Sequence, residues 1–115
     1  MDNHTVVIRN PDNGKQLRHF KDGSIRNVAI LPSAYIGKGI YKPGWRWSLH
    51  AGHQTSKTSQ RHIGYILTGR MHIQDSTGKE LTAGPGDTFE VGPNHDAWVI
   101  GNEPCEALDF EFRSS

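Results

Sequence analysis

The chain has 115 residues, 34% of them hydrophobic, and a formal net charge of +1, a length that suits one domain whose core hides roughly 65% of the unfolded surface. A single cysteine, Cys105, excludes an intramolecular disulfide; no apolar run approaches the roughly 18 residues of a membrane span, and no basic segment followed by an apolar run marks a secretory signal. A cytoplasmic protein is therefore expected, and the near-neutral charge without a recognition motif argues against nucleic acid and membrane as partners.

Thr5–Ile8 is a short β-prone run, closed by a turn at 11–15 (PDNGK). Residues 16–21 fit no single pattern, and 22–24 (DGS) is another turn. Ile25–Leu31 predicts a strand stopped by Pro32. Ala34–Tyr41 alternates around Gly37 and Gly39 and predicts a strand, broken by the turn Lys42-Pro43-Gly44. Trp45–His50 alternates strictly, so a strand is predicted with Arg46, Ser48 and His50 on one face and Trp45, Trp47 and Leu49 on the other. The tryptophan face would pack outward against another layer. The polar face would look into a cavity or into bulk water. Residues 51–61 show no apolar period and predict a loop, of a length usually functional or mobile.

His62–Leu67 resumes as a strand, and Arg70–Gln74 is expected to pair back onto it across Thr68-Gly69. A turn at 75–78, a strand at 79–83, a tight turn at Gly84–Asp87, a strand at Thr88–Val91, a turn at 92–96 and a strand at Ala97–Ile100 follow. Cys105–Phe112 is the last strand, with Ala107, Asp109 and Glu111 opposite Leu108, Phe110 and Phe112. About ten short strands separated by turns, without a helix or an internal repeat, predict a closed or sandwiched all-β architecture. Cys105, in an apolar strand, reads as a buried inert thiol.

Charge is unevenly spread. From Gly23 to Gln74 there is no Asp or Glu, yet seven of the thirteen Lys and Arg fall there: Arg26, Lys38, Lys42, Arg46, Lys57, Arg61 and Arg70. A metal site inside that stretch has no carboxylate ligand of its own, and a cavity lined by it favours an anionic ligand. Alternatively these cations lie on solvated faces and pair with the acidic ends of the chain. Catalytic signatures are otherwise sparse. There is no G-x-S-x-G, and GKGIYKPG lacks the ending and the helix of a phosphate loop.

Two segments carry a resemblance, H-I-G-Y-I-L-T-G-R-M at 62–71 and G-P-G-D-T-F-E-V-G-P at 84–93. They are similar to the E-x-x-Y-V-L-x-G and P-G-D-x-x-x-x-P stretches of the cupin superfamily. The resemblance runs from Gly44 to Asn102. It implies an all-β fold, a double-stranded β-helix or jelly-roll barrel, as one domain over 1–115 with its core at about 40–112. The family's first motif is a Gly, five residues, His-x-His, a gap, a Glu, then six residues to a Gly. Gly44 and His50 match its opening. Gly52 stands where the second His belongs, with His53 one place later, and His62 stands at the glutamate. In the second motif Ala97 and Gly101 occupy the His and Asn positions. His95, two residues before Ala97, would share its face in an extended strand.

Two functional expectations follow from the resemblance. In one, His50, His53, His62 and His95 form an all-histidine site for one divalent transition metal, Zn, Ni, Fe or Cu, while the lack of carboxylate disfavours Mg, Ca and Mn. The chain would then be a metal-dependent enzyme acting on a small organic acid or other anionic metabolite. Arg46 would hold the carboxylate, plausibly as a bidentate pair, and Tyr65 would line the pocket as a packing residue rather than as an acid. In the other, the metal site is lost and the domain binds or senses a small molecule without catalysis. His4, His19 and His72 are surface histidines in both. The resemblance also implies a homodimer, for which Trp45, Trp47 and Trp98 would supply an aromatic outer face.

Overall fold

The computed structural model describes residues 5–13, 17–52 and 60–112. Nine strands lie among them: β1 (Arg18–His19), β2 (Ile25–Ile30), β3 (Ala34–Tyr41), β4 (His62–Thr68), β5 (Arg70–Gln74), β6 (Glu80–Ala83), β7 (Thr88–Val91), β8 (Asp96–Ile100) and β9 (Cys105–Phe112). A 3-10 turn, Pro11–Asn13, and a π-helical turn, Trp47–Gly52, are the described helical pieces. All strand pairs are antiparallel. Six strands form one sheet in the order β1-β2-β3-β9-β4-β7, and three form a second in the order β6-β5-β8. Non-consecutive neighbours across two facing sheets make this a jelly roll. No helix among the described residues is long and apolar enough to cross a membrane.

The inner faces follow from strand alternation. On β9, Cys105, Ala107 and Asp109 point inward. Register places Asp109 between Gly37 of β3 and Gly64 of β4, and Ala107 between Gly39 and Ile66. The opposing sheet contributes Met71, Ile73, Ala83 and Val99. Phe20, Tyr41 and Trp45 close one end, with Tyr41 and Trp45 ring centroids 4.3 Å apart and Phe20 edge-on to Trp45 at 5.6 Å. Small residues opposite large ones let these two layers interdigitate.

Four sequence expectations change. Thr5–Ile8 is not a strand, and Val6 and Ile8 are each 82% exposed; β-propensity without a partner strand forms no ladder. Arg70–Gln74 does not pair with β4. At Thr68-Gly69 the chain crosses from one sheet to the other, and β5 pairs with β6 and β8 instead. Gly69 permits the crossing: its φ is +73°, and a Cβ there would run into Pro104 O and Cys105 Cα.

The third change concerns Trp45–His50, which is not a strand. Arg46 makes one bridge to Trp98, and Trp47–Gly52 then coils into the π-helical turn. The cause is remote in sequence. Asp96 accepts Ser48 N–H at 3.0 Å, Ser48 Oγ–H at 2.9 Å and Arg46 Nε–H at 2.8 Å, which satisfies the donors at the start of the turn. The fourth change is the inversion of the two faces. Trp45 is buried and Trp47 lines the interior, while Arg46 and Ser48 turn out toward Asp96. Trp45 and Trp47 therefore offer no outer face to a second copy. Of the three tryptophans, Trp98 is the one on the outer face of the small sheet, with the Arg46 guanidinium 4.2 Å above its ring.

Four of the seven cations of the acid-free stretch pair with carboxylates outside it. Arg26 meets Asp109, Lys38 meets Asp12 and Glu106, Arg46 meets Asp96 and Arg61 meets Glu90.

Candidate functional site

Two adjoining cavities open between the sheets. The inner one, about 70 Å³, lies against Ile66, Met71, Phe89, Val91 and His95. The outer cleft, about 380 Å³, is walled by Phe20 and rimmed by Arg18, Arg26 and Arg61. Tyr41, Trp45, Trp47, His62 and Asp109 line both and so mark the junction. An apolar floor with a few polar groups at its mouth is the usual make-up of a small-molecule site.

His62 opens β4 opposite Val91, on the inner face. Its Nδ1 lies 3.3 Å from Gln60 O, and its Nε2 lies 4.0 Å from Asp109 Oδ2, beyond hydrogen-bond reach. Its ring stands edge-on to His95, centroids 5.5 Å apart. His95 enters from the turn before β8, where Asn94 takes a left-handed φ of 62°. It is buried, and its Nδ1 lies 2.9 Å from Gly92 O. Burial is the main force holding His95 below its ordinary pKa; His62 acts in the same direction, and the Gly92 bond opposes. This favours the neutral imidazole with Nδ1–H donating to Gly92.

Asp109 is held on its other side by Arg26. Nε donates to Oδ2 at 2.9 Å and Nη2 to Oδ1 at 2.6 Å, a two-pronged pair. Burial works against the Arg26 charge, but the Asp109 bond and charge outweigh it and raise the guanidinium pKa. Gly37 provides the room, because a Cβ there would meet both Arg26 Nη2 and Asp109 Oδ1. Gly39 does the same for the Tyr41 ring, which lies over it. Burial, with Asp109 second, pushes the Tyr41 phenol well above its ordinary pKa, so it keeps its proton.

The other expected site residues are placed differently. His50 sits in the π-helical turn, its Nδ1 accepting the Arg46 N–H at 3.0 Å and its ring stacked 6.5 Å from Trp45. With no strand there, no hairpin sets His50 opposite His62. His53 lies outside the described residues. Arg46 is bound to Asp96 and Trp98 and lines neither cavity. Tyr65 is one residue out of phase with Ile66, so it stands on the opposite face of β4 and lines neither cavity. Among the described residues no three His, Cys, Asp or Glu converge to hold a metal. Two imidazoles fall short of the three protein ligands that a transition-metal site needs, and Asp109 already serves Arg26. The described residues do not fit the metal that the resemblance implies.

The site residues that sequence reasoning missed are Arg18, Arg26, Tyr41 and Asp109. Asp109 was visible as one of two acids, with Glu111, on the face of CEALDFEF that Cys105 and Ala107 also occupy. Its partner Arg26 is 83 residues away and stood out only as one of the seven cations of the acid-free stretch, with nothing to name its carboxylate.

No protein family and no curated protein matches the chain in sequence. Solved structures match in shape. An RmlC-like cupin from Shewanella frigidimarina superposes with a TM-score of 0.66 at 14% identity, over 96% of this chain and 93% of that one. A cupin-superfamily sugar phosphate isomerase from Silicibacter pomeroyi gives 0.65 at 16% identity, over 90% and 73%. KdgF from a Halomonas species gives 0.62 at 18% identity, over 86% and 87%. Strand order, the interior cavities and these superpositions together show that the chain has the cupin fold.

Proposed function

We propose that the chain binds a small organic anion in the barrel mouth, with its charged end on Arg18 and its body reaching inward past Trp47 toward His62. One observation carries this reading. Of the three cations on the cleft, Arg26 is paired with Asp109 and Arg61 with Glu90, whereas Arg18 has no carboxylate among the described residues. Its guanidinium stacks 5.0 Å over Phe20 and reaches Ala51 O only at 3.5 Å. A half-buried guanidinium with donors to spare is suited to a ligand carboxylate. The low-dielectric aromatic wall strengthens that attraction.

His62 and the Arg26–Asp109 pair border the same space and would orient the ligand's inner end. That a cupin-fold neighbour is a sugar phosphate isomerase agrees with an anionic ligand in such a barrel. The expected metal-dependent step is not part of the proposal, because the described donor set stops at His62 and His95. We also propose a homodimer, without Trp45 and Trp47 at its interface; a monomer by light scattering at micromolar concentration would remove it.

NMR titration with propionate and its neutral counterpart propionamide tests the anion reading. Propionate is expected to bind at least tenfold more tightly than propionamide, and Arg18→Ala to remove that preference. Arg61→Ala is expected to leave it within about twofold, since a rim charge this exposed is screened. Equal binding of the two probes, or an unchanged preference in Arg18→Ala, overturns the reading.

A further inference from the structure

Tyr41 is 8% exposed and lines both cavities at their junction. Its hydroxyl has no hydrogen-bond partner among the described residues. Among the described residues, the polar side-chain atoms both sealed from solvent and unpartnered are Asn27 Oδ1 and Trp45 Nε1. The Tyr41 hydroxyl is not one of them, so it opens on the cavity. A phenol that opens on a cavity without a protein partner is free to bond a polar group that enters it.

The ring is also fixed in direction. It rests on the backbone of β3 where Gly39 offers no side chain, and it packs 4.3 Å from Trp45 and 6.2 Å from Phe20. Arg18 lies 5.0 Å from the Phe20 ring and lines the same outer cleft as Tyr41, so the cation and the phenol border one space. The phenol stays protonated and can both donate and accept.

We infer that the Tyr41 hydroxyl is a ligand-recognition group, and that the ligand is a small hydroxy or oxo acid whose carboxylate meets Arg18 and whose oxygen meets Tyr41. This rests on the anion reading above and narrows it to one substrate class. A plain carboxylic acid of the same size would leave the phenol unpaired. Sites built to bond an oxygen reject analogues that lack it.

Three probes of three carbons separate the possibilities: lactate, pyruvate and propionate, titrated by NMR against the wild-type chain, Tyr41→Phe and Arg18→Ala. The wild type is expected to bind lactate or pyruvate at least tenfold more tightly than propionate. Tyr41→Phe should lose that preference, binding propionate no more weakly than the wild type does because no phenol is left unpaired. Intermolecular NOEs from the lactate methyl to the Tyr41 ring protons in the wild type give the same answer if Tyr41→Phe does not fold. Equal affinity for all three probes, or a preference that survives in Tyr41→Phe, overturns the tyrosine inference and leaves the Arg18 reading standing. Absence of all three probes from the cleft overturns both.

Discussion

Asp96 shows how one carboxylate can set a local fold. It receives Arg46 Nε, Ser48 N, Ser48 Oγ and its own neighbour's Ala97 N, all within 3.0 Å. Burial alone would raise its pKa, but the bonds from Arg46 and Ser48 prevail and hold it below the usual carboxylate range. A group with a depressed folded pKa adds stability that is present above its unfolded value, near 3.8, and is lost as pH falls through the folded one. Asp96→Asn should therefore cost about 1.5–3 kcal/mol at pH 7, the range for hydrogen bonds to a charged group. The gap between variant and wild type should shrink at pH 3. Urea unfolding at the two pH values checks this, and a gap that does not narrow removes the charge argument.

Among the elements, β3 and β9 have the same bounds in the sequence reading as in the structure. Each carries apolar alternation with a turn at one end, Lys42-Pro43-Gly44 after β3 and 101–104 before β9. Trp45–His50 met the same test of alternation and failed, because its donors are claimed by Asp96 on another strand. Periodicity reports which faces are apolar but not which remote carboxylate will capture the backbone. The sheet crossing at Gly69 was hidden for a related reason: a short Thr-Gly link suits a hairpin as well as a crossover. The crossing makes a sharp prediction. Gly44 and Gly69 both have positive φ, yet a Cβ at Gly44 meets open space and one at Gly69 meets backbone. Gly44→Ala should cost about 1–2 kcal/mol, the left-handed penalty alone. Gly69→Ala adds roughly 1–3 kcal/mol more for overpacking. Equal losses in chemical denaturation would show that β9 yields to accommodate the methyl.

At the scale of the whole molecule, the barrel was legible and its chemistry was only half so. The motif segments at 62–71 and 84–93 build β4, β5 and β7, and the inward placement of His62 and His95 agrees with their strand phase. What could not be read was how they are completed. The sequence suggested imidazoles from the 50–53 region, whereas the structure sets Asp109 and Arg26 beside His62, from strands at opposite ends of the chain. A chain purified without chelator or affinity tag and offered Zn, Ni, Fe or Cu is expected to retain well under one equivalent after desalting. His62→Ala with His95→Ala should not change that figure. One retained equivalent that the double variant loses would show that a further ligand completes the pair.

The three tryptophans occupy three unlike surroundings. Trp45 is buried in an aromatic stack at the junction of the two cavities, Trp47 lines both of them, and Trp98 lies on the outer face under a guanidinium. The barrel thus carries its own optical reporters. Trp98, outside the cavities, should answer to salt through Arg46 and stay indifferent to what enters the mouth, whereas the emission of Trp45 and Trp47 should dim or shift as the cleft fills.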